Sequence, residues 1–567
     1  MSLRRRHFGI VAVLGLLVAT SGAPVAASNP NLARNAHGHL ANGKALPHAS
    51  GGTEVTFDEE RAEAADALSS DAGLPPDASA TSLGCANRGS LTNPRVNRDC
   101  TARRQAEEQI AVNPLDPNNL IAGQNDSRVG FNHCGFDYSL DGGVTWGDGQ
   151  PGYFQHLSQV GHTYDAASDP NVTFDGQGRA WYSCVVFDIN SNASGLFVNP
   201  STPDLKGAAY ANIGAGTSPY VVAETADGHI FYDKQFIAGD MRSGHNEVYV
   251  TFSRFVSDQK CSNGNNPGAY CSSEIWMAKW DGTAWGAPFN ISGSSPLCTT
   301  GDALDKKAGA NDCNFNQGSM PVVLADGSVF VVWSNENTPT RLDQTLGRRI
   351  LANGTLGPVV KVGQDEESNV ALCDFGRGPE ECVDSINIRT NDFPAIAVDP
   401  SNASHLVAVW QDSRGVAAGS GDYRIIVSES TDSGATWSDS AGGGTTLHGA
   451  AGEAYFEPSV AITPAGKVAV SFYRANAYAG SAIGGGTYGY GMQVKSGASF
   501  GAYTPVSDSQ ALPGPQANAA QRGFLGDYSS IAASHTSETV YPIWADTRNS
   551  TSAGPDEDVF VKVVTLP

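Results

Sequence analysis

Ser139-Leu140-Asp141-Gly142-Gly143-Val144-Thr145-Trp146 and Ser430-Thr431-Asp432-Ser433-Gly434-Ala435-Thr436-Trp437 share one eight-residue pattern, S-x-D-x-G-x-T-W. The pattern describes a hairpin corner. Ser and Asp bond to their own backbone around the bend, the central Gly accepts a left-handed conformation, and Thr-Trp begins the returning strand. Two copies in one chain point to a repeated β unit.

Working outward, a longer unit recurs from about residue 105: a short apolar strand, a turn of Asp, Asn, Gly or Pro, and a second apolar strand that often ends in Trp or Phe. Aligning Ile110, Val172, Ile237, Val322, Ile396, Val460 and Ile531 gives seven copies spaced 62 to 85 residues apart. A four-stranded blade needs roughly 40–50 residues, so the excess is loop. Ile275–Trp280 with a turn at Asp281-Gly282 supplies a third strand, and weaker turns stand at Asn353-Gly354 and Ser496-Gly497. Short strands, abundant turn chemistry and no long stretch of 3.6-residue period predict an all-β chain. The expected architecture is a seven-bladed β-propeller of four-stranded antiparallel blades, with six blades as the alternative. The chain ends on Asp558–Val564, read as the third strand of the last blade, whose fourth strand must then come from before residue 107.

The S-x-D-x-G-x-T-W spacing resembles the Asp box of the sialidase-like β-propellers. In that family the motif turns between a blade's third and fourth strands, away from the active face. The resemblance covers residues 105–567 for fold, and it implies a glycan or glycoconjugate as partner.

Arg4, Arg5 and Arg6 precede an apolar run from Phe8 to Val18 and then small residues through Ala27, the form of a secretory signal over residues 1–27. Residues 28–104 are rich in Ala, Gly, Ser, Asn and Pro without sustained apolar period and read as a flexible leader or propeptide. The run at the start is too short to span a bilayer, so no membrane insertion is expected and the mature chain is expected to be secreted as a monomer. A formal charge of −23 argues against nucleic acid as a partner. Ten cysteines without a C-x-x-C pair suit disulfides rather than zinc. The short-range pairs Cys261–Cys271, Cys298–Cys313 and Cys373–Cys382 are expected to close loops, leaving Cys85–Cys100 and Cys134–Cys184 by elimination. No complete Asp-x-Asp-x-Asp-Gly loop appears, so neither a metal nor another cofactor is expected. Gly497-Ala-Ser499-Phe-Gly501 matches a nucleophile elbow only in letters, since no helix follows it.

In an up-and-down blade, residues before the first strand and after the second share one face. The first group holds Glu108, Asp169, Asp233-Lys234, Asp392, Glu457 and Asp527-Tyr528. The second holds Arg128, Arg254, Arg414, Arg474 and Arg548, three of them in the repeated pattern Asp126-x-Arg128, Asp412-x-Arg414 and Asp546-x-Arg548. A pair repeated unit after unit suits ties between neighbouring blades as well as substrate contacts. The sialidase family binds the sialic-acid carboxylate with three arginines, uses an aspartate as acid/base, and pairs a tyrosine nucleophile with a glutamate. By resemblance, Asp527-Tyr528-Ser529 marks Tyr528 as nucleophile, with Glu457 as its partner, Asp169 as acid/base and the five arginines as substrate-binding. The family's Arg-Ile-Pro element is missing. The expected function is a secreted exo-α-sialidase-type hydrolase; the alternative is a non-catalytic propeller binding glycan or protein at the same rim.

Overall fold

A computed structural model of the protein describes most of residues 90–567. Residues 1–89 lie outside it, as do residues 91, 100, 102, 129–131, 152–155, 190–192, 211–219, 257–271, 300–308, 339–341, 368, 375–378, 418–420, 451, 477–485, 514–522 and 550–556. The signal, most of the leader, Cys85–Cys100 and Cys261–Cys271 therefore fall outside the described residues.

All regular structure among the described residues is β. Seven antiparallel sheets follow one another along the chain, and a three-stranded sheet is inserted between the fourth and fifth. Their first strands are Gln105–Asn113, Ala166–Phe174, Ile230–Gly239, Asn316–Val323, Ala395–Val398, Ala454–Ile462 and Ser530–Ala533. Each of the seven aligned apolar residues lies in one of these strands. Each first strand packs beside the first strand of the next sheet, and Ser530–Ala533 lies against Gln105–Asn113. The second strands carry the bulk of the core. Trp181, Trp333, Trp410 and Trp544 are wholly buried there, one in each of four sheets. Burying an aromatic ring of this size contributes about 2–3 kcal/mol, which explains the aromatic strand ends seen in the sequence.

Both eight-residue motifs turn from a third strand towards a fourth. In the first, Ser139 ends His133–Ser139 and Trp146 precedes Gly147–Gly149; in the second, Ser430 ends Arg424–Ser430. The two corners are alike in detail. Thr145 N donates to Asp141 Oδ1 at 2.9 Å and Thr436 N to Asp432 Oδ1 at 2.8 Å. Gly143 and Gly434 have φ of 89° and 87°, and each tryptophan Nε1 donates back to its glycine carbonyl at 3.1 Å.

The last sheet takes an edge from far upstream. Arg95 forms an antiparallel bridge with Phe560, and Val96 N donates to Val559 O at 2.8 Å. Arg95 pairs with Asp558 at 3.2 Å, and Arg98 N donates to Asp148 Oδ2 at 2.9 Å on the first sheet. Residues 93–99 thus lie between the last sheet and the first, although they belong to the stretch read as leader. Disulfides join Cys134 to Cys184, Cys298 to Cys313 and Cys373 to Cys382, three of the expected pairs. Cys134 lies on the first sheet and Cys184 on the second, so this bond staples neighbours together.

Candidate active site at the bulged first strands

The first strands are not regular. Pairing slips between Ala106 and Gln109, Ser168 and Asn171, Asp233 and Phe236, Gln317 and Met320, and Phe456 and Ser459. Each slip is a bulge, and each holds a left-handed residue: Glu107, Asp169, Lys234, Gly318 and Glu457, with φ between 48° and 61°. Only one of the five is glycine. A non-glycine residue held in this region costs of order 1–3 kcal/mol, and such strain gathers at working sites, where bulges re-aim side chains.

Three of these strands, the insert and the last sheet bring charge together. The Glu107 and Asp169 carboxyls adjoin, and Ser168 Oγ lies 3.4 Å from Glu107 Oε2 and 3.0 Å from Asp169 Oδ1. Asn125 bridges them: its Nδ2 donates to Glu107 Oε2, and its Oδ1 accepts from Asp169 N at 3.0 Å. Lys234 N donates to Asp169 Oδ2 at 3.2 Å, while Lys234 Nζ reaches Asp527 Oδ2 at 3.2 Å and lies 3.8 Å above the Phe393 ring. Arg389, from the inserted sheet, pairs with Asp527 and with Glu380 at 2.7 Å. Tyr528 completes the group. Its ring meets Phe236 edge-on at 5.1 Å and its hydroxyl donates to Pro170 O at 3.4 Å.

Burial decides the electrostatics. Glu107, Asp169, Lys234, Asp527 and Arg389 are all buried, whereas Tyr528 is half-buried. Burial, then the Asp169 charge, pushes the Glu107 carboxyl well above the usual carboxylate range. Burial and the nearby Arg389 lower the Lys234 ammonium. Burial, followed by Glu107 and Asp169, holds the Tyr528 hydroxyl well above its ordinary value, so it is protonated at rest. The arrangement presents two adjoining carboxyls, that of Glu107 raised by burial, beside a protonated phenol and two cations around one aspartate.

Of the residues given catalytic roles from the sequence, Asp169 and Tyr528 come together here, joined by Lys234 and Asp527 from the same pre-strand positions. Glu457 occupies the equivalent bulge of the sixth sheet, where its buried carboxylate oxygens accept no hydrogen bond among the described residues. Its charged neighbours are Arg389 and Glu557, whereas those of Tyr528 are Glu107, Asp169 and Glu108. The five arginines are held locally. Arg128 binds Asp126 and, at 2.6 Å, Asp148. Arg414 binds Asp412 at 2.7 Å and Asp439 at 3.0 Å. Arg548 binds Asp546 at 2.6 Å and stacks 3.9 Å over Phe560. Arg474 binds Glu453 at 2.9 Å, and Arg254 lies 3.9 Å from Glu274. Sequence reasoning passed over Glu107 and Arg389. Glu107 had a signal: Glu107, Asp169, Lys234, Glu457 and Tyr528 all stand three residues before their aligned apolar position. Arg389 had none, because it arrives from an insertion outside the repeat.

No protein-family model matches this sequence, and no curated protein does. Solved structures similar to it include a protein of unknown function from Dyadobacter fermentans, at 10% identity and TM-score 0.42, covering 84% of this chain and 98% of that one. An α-L-arabinofuranosidase of Fusarium graminearum aligns at 10% identity and TM-score 0.39, over 83% of this chain and 97% of its own. An α-L-arabinanase of Penicillium chrysogenum aligns at 11% identity and TM-score 0.37, over 69% and 92%. Similarity of this order carries no inference about chemistry, which rests on the residues themselves.

Proposed function

We propose that the seven sheets are blades of a closed propeller and that the bulged first strands form the active site of a secreted, glycan-directed glycoside hydrolase. The observation that carries this reading is the half-buried Tyr528 beside the adjoining Glu107 and Asp169 carboxyls, a pair we take to hold one proton between them. Hydrolysis of a glycosidic bond needs a proton for the departing oxygen and a nucleophile at the anomeric carbon. The shared proton suits the first task, and the Tyr528 hydroxyl the second, with the remaining carboxylate of the pair taking its proton. Glu107 thereby takes the place beside the tyrosine that the sialidase resemblance gives to Glu457.

Charge counts favour a sugar without a carboxylate. Lys234 and Arg389 are matched by Asp527 and Glu380, leaving no positive surplus, and the carboxyl pair with one proton carries about one negative charge. The five arginines are occupied by acids of their own sheets, so they are assigned to holding those sheets rather than to clamping an anionic substrate. Incubating the purified protein with a panel of aryl glycosides that includes a sialoside tests the proposal. Release from one neutral glycoside, lost in Tyr528→Phe, supports it; turnover of the sialoside alone restores the sialidase reading.

The burial of five charged members favours a second reading, in which the cluster is an ion-pair hub joining the sheets and the rim only binds glycan. A protein that retains glycan in pull-down, but cleaves none of the panel, fits that reading.

A further inference from the structure

Between the fourth and fifth sheets, three carboxylates from three different places converge. Asp365 is near the end of the fourth sheet's outer strand, Leu356–Glu366; Glu367 follows that strand; Asp392 precedes the fifth sheet's first strand, Ala395–Val398. One oxygen from each lies within 4.8 Å of the others. Proximity of acids is common on surfaces, but Asp365 is wholly buried, and neither of its oxygens accepts a hydrogen bond from an amide, hydroxyl or cationic side chain among the described residues. No Lys or Arg among those residues forms an ion pair with any of the three. The nearby Asp412 is already held by Arg414 at 2.7 Å. Asp392 is fixed in orientation, since Ser334 Oγ donates to its Oδ2 at 2.7 Å.

We propose that Asp365, Glu367 and Asp392 bind one Ca²⁺ ion, through one oxygen of each and with Glu367, the half-buried member, at the entrance. The donor set is all oxygen, without His or Cys, which selects a hard cation over zinc or copper. The ligands come from a strand end, a turn and an irregular segment, a scaffold that suits the loose coordination of Ca²⁺ better than the strict octahedron of Mg²⁺. Orphaned buried oxygens are costly unless a cation or a donor meets them, and Asp365 has no such donor among the described residues. The inserted sheet leaves and rejoins the seven-sheet array at this point. An ion on Asp392 would therefore fix the segment that also carries Arg389. The ligands are scattered over 28 positions, from Asp365 to Asp392, which is why no contiguous calcium loop marks the site in the sequence.

The test uses the full purified chain, stripped with EDTA and dialysed, with Ca²⁺ binding followed by calorimetry and by thermal melting. One Ca²⁺ equivalent and a higher melting temperature are expected, with Mg²⁺ giving much less of either. Asp365→Asn should weaken Ca²⁺ binding by about 100-fold and abolish the thermal shift, yet melt no lower than the parent in EDTA, because it also removes repulsion. Should that variant not fold, Glu367→Gln at the entrance must still weaken binding about tenfold. Absence of a Ca²⁺ effect at millimolar concentration, preference for Mg²⁺, or undiminished binding in both variants would each overturn the assignment.

Discussion

Tyr528 and Glu107 carry opposite expectations. The Tyr528 hydroxyl makes one long bond, 3.4 Å to a backbone carbonyl, so Tyr528→Phe should cost under about 1 kcal/mol of stability. Its turnover on the responsive glycoside should fall by about three orders of magnitude or more if the phenol attacks. Glu107→Gln keeps an acceptor for Asn125 but removes a buried carboxyl from beside Asp169. It should melt at or above the parent temperature while losing turnover by roughly 100-fold, together with one limb of the pH profile. A variant as active as the parent would remove Glu107 from the chemistry. Tyr528 and Asp169 were legible because strand starts are recognisable from the apolar run that follows. Glu107 was one residue away from the acid chosen there, Glu108, because a bulge shifts the period of two and sequence alternation does not announce it.

The two hairpin corners separate conformational strain from packing. Gly143 and Gly434 have nearly the same φ, so replacing either by alanine incurs about 1–2 kcal/mol of left-handed strain. A Cβ on Gly143 would meet Val563 at 3.4 Å, but on Gly434 it would meet the Phe330 ring at 2.2 Å. Gly434→Ala should therefore lower the melting temperature clearly more than Gly143→Ala, and equal shifts would show that Phe330 yields freely. The arginine rows belong to this scale too. Arg414→Ala strips Asp412 and Asp439 of their partner in a largely buried setting, and a loss of about 2–4 kcal/mol with kcat/KM little changed is expected from denaturant melts and kinetics. These elements were the most legible part of the chain. The corners, the strands and three disulfides could be read because their determinants are local, whereas the partner of each rim arginine depends on how the strands curl.

Across the whole molecule, acid accumulates in the interior. Glu107, Glu108, Glu457 and Glu557 are buried, and burial pushes each well above the usual carboxylate range. Their pKa values are higher in the folded chain than in the unfolded one, so folding takes up protons. The stability they lend is complete below the ordinary glutamate pKa and is lost as pH rises through the raised values. The melting temperature should fall as pH rises above about 5, past the ordinary glutamate range, and Glu457→Gln should make that slope shallower. A flat profile would show that the interior acids are ionised and matched. The seven-fold sheet order was visible in the spacing of apolar residues. The meeting of sheets one, two, three and seven with the insert at one charged group was not, because it depends on placing strands hundreds of residues apart side by side.

The bridge between Arg95 and Phe560 also has a meaning in time. A ribosome adding about 5–20 residues per second needs roughly half a minute to a minute and a half to travel from one to the other. Throughout that interval the partner of the upstream segment does not yet exist, and six sheets can be assembled while Pro94–Val96 waits. An unmatched edge of this kind invites pairing with a neighbouring nascent chain. Messages that terminate shortly before Asp558 should accordingly yield protein that aggregates in a concentration-dependent way, whereas supplying residues 557–567 as a separate peptide should rescue part of it.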